Sequence, residues 1–345
     1  MLETLQVIWF ILWALLWAVY FVLDGFDLGL GSLLPFIGSN EEERRIMYNA
    51  AGPFWDGNEV WLITAGGVTF AAFPKAYAVM FSALYAPLLI LLFALIFRAV
   101  SFEFRGKGDS CTWIFSWDVC MTLGSFLPAL LLGVAFANLF MGIPIDGNGV
   151  YHGNIIKLLN PYGLAGGIFF VLIFCMHGAL WLALKSEGDI HERAVGAAQV
   201  VWPLVLAVAL LFLALTAFYT NLYANYAEHP TLLVFPILAV ASLLTVRVMI
   251  WADNLLGAWF FSALFIITVT FFGVLGMYPG IIISSIDPAY SVTVFNGASS
   301  QLTLKIMLGV TLCCIPVVIA YQAWVYYTFA HKVTPESLQK DDHAY

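Results

Sequence analysis

The sequence predicts an all-α polytopic membrane protein, and three observations carry that prediction. Of the 345 residues, 62% are hydrophobic and only 10% are charged, with a mean hydropathy of +0.94. Soluble domains carry about 25% charged residues, and a soluble fold of this size has no way to hide so much apolar surface. The apolar residues also fall into runs long enough to cross the roughly 30 Å hydrocarbon layer as helices. Finally, Lys and Arg concentrate in alternate connections.

Nine such runs are expected, at 5–36, 46–73, 76–101, 112–142, 160–185, 194–222, 231–251, 256–279 and 303–330. The stretch GSNEEERR closes the first hairpin, and FRGKGDS separates the third and fourth runs. PIDGNGVYHGN and LNP precede the fifth run, and SEGDIHER precedes the sixth. YAEHPT and PGIIISSIDPAYSVTVFNGASSQ mark two later loops, while only WADNLLG parts the seventh run from the eighth.

With nine spans, one side holds Arg44, Arg45, Arg98, Arg105, Lys107, Lys185, Arg193, Arg247, Lys332 and Lys340. The other side holds Lys75, Lys157 and Lys305. This bias places the ten-residue side in the cytoplasm, with the N-terminus outside and the C-terminus inside. An eight-span count would put the later basic loops on the wrong side. The long break at 143–159 suggests two helical bundles, 1–142 (spans one to four) and 160–280 (spans five to eight). A ninth span at 303–330 and a cytoplasmic tail at 331–345 follow.

Other features limit the function classes. The net charge of −8 comes mostly from loops and tail, and no basic stretch points to nucleic acid. The five cysteines, Cys111, Cys120, Cys175, Cys313 and Cys314, form no C-x-x-C pair and read as free thiols. The N-terminus carries Glu3 and lacks a basic leader or a small-residue cleavage site, so the first run is expected to be retained.

Charge inside a membrane is expensive, so intramembrane carboxylates default to a functional reading. Asp24 and Asp27 lie three apart in DGFDLGLG, on one face of the first span. Asp56 and Glu59 lie three apart in WDGNEV, beside Trp55 and Asn58. If both spans are regular helices and the hairpin turns near Asn40, Asp24 and Asp56 sit at similar depth, roughly 20 Å from the turn. Gly25 and Gly29 form a G-x-x-x-G that lets helices approach closely. The bland alternative is that these polar side chains are interhelical glue.

A second group comprises Arg98, Glu103, Arg105 and Lys107 at the end of the third span, with Asp118 opening the fourth. It reads either as interface anchoring or as an aqueous mouth that delivers protons inward. Of the six histidines, only His177 falls inside an expected span. No paired histidines at helical spacing suggest haem or metal ligation, so no cofactor or metal is expected on this chain.

These ordered blocks resemble subunit II of the cytochrome bd-type quinol oxidases, including the cyanide-insensitive relatives. DGFDLGLG, ERRIMYNAAGPFWDGNEVWLITAGG, FAAFPKAYA, FSALY, FRAVSFEFRGK, GSFLPALLLGVAFANL, LLNPYGLAGG and SSQLTL carry the likeness, with MYPG in the less similar region 194–280. The resemblance implies nine spans, in two four-helix bundles plus one peripheral helix, in a prokaryotic cell membrane. It implies a haem-free subunit of a complex that oxidises membrane quinol, reduces dioxygen to water and generates proton motive force.

Two b-type haems and one haem d, or a third b-type haem, would sit on subunit I. A small single-span subunit and membrane lipid would complete the assembly. By resemblance, Asp56 matches the family's mid-membrane proton carrier. Glu103, where some members have Asp, and Lys107 match positions near the cytoplasmic mouth. Asp24 and Asp27 match the DGFD pair, one of which would support the route or the interface, and Asp24 is counted in the proton pathway with Asp56, Glu103 and Lys107. Glu59, which is Gln in some relatives, carries less weight, and His177 receives no role. An ion-coupled transporter and a purely structural membrane scaffold are the competing functions.

Overall fold

Hydrocarbon offers backbone amides no hydrogen-bond partner, so spanning segments must satisfy them internally as helices. The computed structural model describes residues 1–340 and 345, without the side chains of Gln339 and Lys340. The part of the tail at 341–344, including His343, lies outside the described residues.

The helices in chain order are α1 (Leu2–Ile37), α2 (Glu41–Ala51), α3 (Trp55–Ala72), α4 (Pro74–Ala83), α5 (Tyr85–Phe104) and α6 (Cys111–Met141). They continue as α7 (Ile155–Leu158), α8 (Pro161–Lys185), α9 (Gly188–Tyr219), α10 (Leu222–Glu228), α11 (Val234–Trp251) and α12 (Leu255–Gly276). A small antiparallel pair, β1 (Gly280–Ile282) and β2 (Val292–Thr293), precedes α13 (Gln301–Thr328) and α14 (Pro335–Lys340).

Among the described residues, eight helices are long and apolar enough to cross a membrane. Seven of the expected runs are each a single helix. The widest boundary difference is at α9, which begins at Gly188 where the sequence placed 194. The other two runs are interrupted. The second, 46–73, is α2 and α3 separated by a turn at 52–54, and it is not among the eight. The third is α4 and α5, broken at Leu84.

Local chemistry sets the helix ends. Asn40 caps α2 by accepting from the Glu43 amide, Ser110 caps α6, and Ser300 caps α13. Asn160 caps α8 with Pro161 at its first position, where the missing N–H costs nothing.

Helix α1 is the centre of the molecule and packs against α3, α6, α8 and α12. Lipid tails are as apolar as leucine, so close backbone approach and van der Waals contact must supply the packing. A methyl group on Gly29 would collide with the backbone carbonyl of Phe174 in α8. The G-x-x-x-G of α1 therefore seats α8. Aromatic pairs fill the layer above it, with Trp17 edge-on to Phe136 at 5.1 Å and Phe21 edge-on to Phe170 at 4.9 Å. By contrast, α13 buries only Leu304.

One end of the bundle is tied by ions. Arg105 joins Glu41 and Asp118, Arg44 joins Asp118, and Arg193 of α9 joins Glu43 of α2. The segment after α13 returns to this end. The Val333 amide donates to the Lys185 carbonyl at 2.7 Å, and Leu338 is buried.

Candidate functional site

One turn of α1 brings Asp24 and Asp27 to one face, opposite the first two turns of α3 and Arg98 of α5. Arg98 of α5 is 1% exposed and Asp24 is fully buried. The Arg98 Nη2 donates to Asp24 Oδ1 at 2.7 Å and to Glu59 Oε2 at 3.0 Å. One guanidinium thus serves two carboxylates from two helices. Desolvated charges persist only when paired in this way.

Asp27 has no ion-pair partner among the described residues. Asn58 Nδ2 donates to its Oδ2 at 2.7 Å. The Asn58 carbonyl oxygen in turn accepts from Gln322 Nε2 at 3.2 Å and Tyr326 OH at 3.1 Å, both on α13. Trp61 Nε1 donates to Gln322 Oε1 at 2.9 Å. A hydrogen-bonded line therefore runs from α13 through α3 to the carboxyl of Asp27. Among the described residues, Asp24 Oδ2, Asp27 Oδ1, Tyr20 OH and the Arg98 Nε and Nη1 have no protein partner.

The second polar group resolves into two parts. Asp118 is buried and accepts from Arg105 Nε at 2.7 Å, Arg44 Nη1 at 2.8 Å and Tyr48 OH at 3.3 Å. It clamps α2, the turn at 105–107 and α6. Glu103 and Lys107 are exposed beside it, and Glu103 Oε1 accepts from Tyr345 OH at 3.3 Å.

Asp56 lies in the first turn of α3, where unpaired amides and the helix dipole favour a negative charge. Its side chain is exposed and makes no ion pair among the described residues. It borders a groove of about 610 Å³ between α3 and α13, shared with Asn58, Gln322 and Tyr326. Trp55 stacks on Phe102 with ring centres 5.1 Å apart.

The equal depth expected for Asp24 and Asp56 is corrected here. That expectation required a regular helix through 46–73, and the turn at 52–54 removes it. Glu59, not Asp56, shares a cation with Asp24, and Asn58 meets Asp27. Asp56 sits one turn nearer the ionic end and points outward.

Arg98 belongs to this centre, although its place beside Arg105 and Lys107 suggested interface anchoring. A lone cation inside LIFRAVSF was the available signal. Gln322 and Tyr326 were not singled out either. Their i, i+4 spacing on an otherwise apolar helix marks one polar face.

His177 is fully buried, with Nδ1 2.6 Å from Ser262 Oγ and Nε2 3.1 Å from the Val22 carbonyl. Both ring nitrogens are engaged by protein, so the residue does not fit a haem axial ligand. No group of three His, Cys, Asp or Glu side chains among the described residues is arranged to hold a metal ion.

Comparison with known proteins bears on this arrangement. A family model described as cytochrome bd terminal oxidase subunit II matches residues 5–329. Cytochrome bd ubiquinol oxidase subunit 2 of Bacillus subtilis is 38% identical over 339 residues, covering 96% of this chain and 98% of the relative. Cytochrome bd-I ubiquinol oxidase subunit 2 of Escherichia coli K12 is 34% identical over 378 residues, covering 99% and 98%. A chain from the structure of bd oxidase from Geobacillus thermodenitrificans superposes with a TM-score of 0.79 over 94% of this chain and 98% of that one. Its 16% identity makes this a likeness of fold.

Proposed function

The chain belongs to the cytochrome bd terminal oxidase subunit II family, and from that premise we propose that it lines a proton-uptake route toward a haem-bearing partner. As a member of this family it is a subunit of a quinol oxidase complex, an oxidoreductase, and a multi-pass protein of the bacterial cell membrane. Its partner is subunit I.

In the finer reading, the chain itself is haem-free, spans the membrane nine times with its N-terminus outside, and supports subunit I. Two b-type haems and one haem d, or a third b-type haem, belong to subunit I, where they supply the oxygen chemistry. The complex oxidises membrane quinol, reduces dioxygen to water and builds proton motive force by drawing those protons from the cytoplasm. A small single-span subunit and lipid complete it.

One observation carries the assignment of the route. Asp56 is an exposed carboxylate without an ion-pair partner among the described residues, on a helix face that also carries Val60 and Ile63. A charge turned toward lipid is costly, so this face belongs against protein or water. A carboxyl held at such a junction can take a proton from one side and release it to the other. Glu103 and Lys107 gather protons at the mouth. Asp24 continues the route behind Asp56, in a buried polar centre with Asp27, Glu59 and Arg98, and Trp55, Asn58 and Asp118 hold the surrounding helices.

The test is Asp56→Asn in the intact complex, read by quinol-driven oxygen uptake and the haem absorption spectrum. Turnover should fall about 100-fold, the lower end of the range for a positioned proton-transfer group, with haem content unchanged. Near-normal turnover with full haem content would sink the proposal.

A further inference from the structure

Tyr345 lies against the proton mouth, and several independent contacts fasten it there. Its backbone nitrogen donates to Asn49 Oδ1 at 3.0 Å. Its backbone oxygen accepts from Asn49 Nδ2 at 2.9 Å and Arg45 Nε at 3.1 Å. A β-carbon on Gly52 would come within 2.7 Å of its ring, so the glycine in the turn before α3 is what admits it.

The side chain then does two things. The phenol donates to Glu103 Oε1 at 3.3 Å, and the ring meets Phe102 edge-on at 5.4 Å. Burial raises the phenol's pKa, contact with Trp55 opposes that rise, and the nearby Glu103 and Asp56 carboxylates add to it. The group therefore remains a protonated donor at cellular pH.

Phe102 is the next link. It is 4% exposed, held by Tyr345 on one side and by Trp55 and by Tyr48 at 5.5 Å on the others. On its inner face it walls a cavity of about 10 Å³ shared with Asp27, Tyr48 and Met121. That is about the volume of a single water probe. Phe102 thus touches Tyr345 on the side of the mouth, where Glu103 lies, and borders the same small cavity as Asp27.

We propose that Tyr345 is a positioning residue for proton uptake, which latches Glu103 and the Phe102 ring and so sets water access between the mouth and Asp27. The inference rests on the proton-route reading of this face. Tyr345 touches no reacting atom; it acts through Glu103 and Phe102. Tyr345→Phe removes the bond to Glu103 and keeps the wedge against Phe102, whereas Tyr345→Ala removes both.

The experiment measures quinol-driven oxygen uptake in H2O and D2O for the intact complex carrying Tyr345→Phe, Tyr345→Ala, Glu103→Gln, and Tyr345→Phe with Glu103→Gln. Haem content and quinol KM are measured alongside. Tyr345→Ala should lower kcat about fivefold, because small misplacements of proton-transfer groups are costly. It should also enlarge the solvent isotope effect while leaving KM and haem content unchanged. Tyr345→Phe should lose about twofold, and nothing further in the Glu103→Gln background, since coupled residues are non-additive.

Unchanged kcat in both Tyr345 variants overturns the inference. A loss that follows haem content, or an undiminished Tyr345→Phe effect in the Glu103→Gln background, also overturns it. If Glu103→Gln and Asp56→Asn both turn over normally, the proton-route reading fails and takes this inference with it. If those two are slow and the Tyr345 variants are not, only the latch fails.

Discussion

Replacing Arg98 with Met separates a buried ionic centre from a surface anchor. Met keeps much of the stem volume and removes the guanidinium. Arg98 donates to Asp24 at 2.7 Å and Glu59 at 3.0 Å, with side-chain exposures of 1% for Arg98, 0% for Asp24 and 23% for Glu59. Glu59 can turn toward water, so the main cost falls on Asp24, which has no other cation among the described residues. Breaking a buried pair by removing one partner costs about 3–5 kcal/mol, whereas losing an exposed anchor costs about 0–1 kcal/mol.

The second arm is Arg98→Met combined with Asp24→Asn, which removes the stranded charge. Neutral replacement of a whole buried pair is often without net cost, so the double variant should recover most of the loss. The assay is the yield of haem-loaded complex in detergent and its thermal midpoint, for both variants and the parent. The expected order is parent, then double variant, then Arg98→Met far below. A single variant as stable as the parent would return Arg98 to the interface. A double variant no better than the single would refute charge compensation as the reason for the pair.

Two glycines and one carboxylate supply further outcomes. Gly29→Ala should cost about 1–3 kcal/mol, the range for overpacking, because its methyl meets the Phe174 carbonyl across α1 and α8. Gly57→Ala, with nothing within 4 Å, should be close to neutral. Complex yield and thermal midpoint of the two variants decide this pair. For Glu43, burial works against ionisation, but Arg193 and the Ser39 amide hold its carboxyl below the usual range. A depressed carboxylate stabilises above its unfolded pKa of about 4.3, and that contribution is lost as pH falls through the folded value. The midpoint difference between the parent and Glu43→Gln should therefore be present near neutrality and vanish in acid. A difference that grows on acidification would contradict the assignment.

Hydropathy carried most of the architecture, because a spanning helix advertises itself as a long apolar run whatever its neighbours are. Seven runs emerged as single helices for that reason. The interruptions at 52–54 and Leu84 were less legible. The first was marked by Gly52-Pro53, a breaker pair that hydropathy passes over, whereas at Leu84 the composition stays apolar and only the backbone changes. The first break moved Asp56 outward by a turn, and depth counted along an unbroken helix missed it. Asp24, Asp27 and Glu59 were visible as charges in the wrong solvent, and the ordered blocks led to the family. Arg98 was visible too, but counting it with the cytoplasmic cations concealed its role.

The sequence by itself determined that this chain crosses a membrane repeatedly, which family it resembles, and which few carboxylates need an explanation there. Those conclusions depend on the cost of each residue in lipid, a property of the residue and its near neighbours. The tertiary structure decided which charge compensates which. Asp24 and Arg98 are 74 residues apart, Asn58 and Tyr326 are 268 apart, and Tyr345 reaches Glu103 across 242. Partnership at such distances is set by how helices pack and where they break, and no local pattern encodes it.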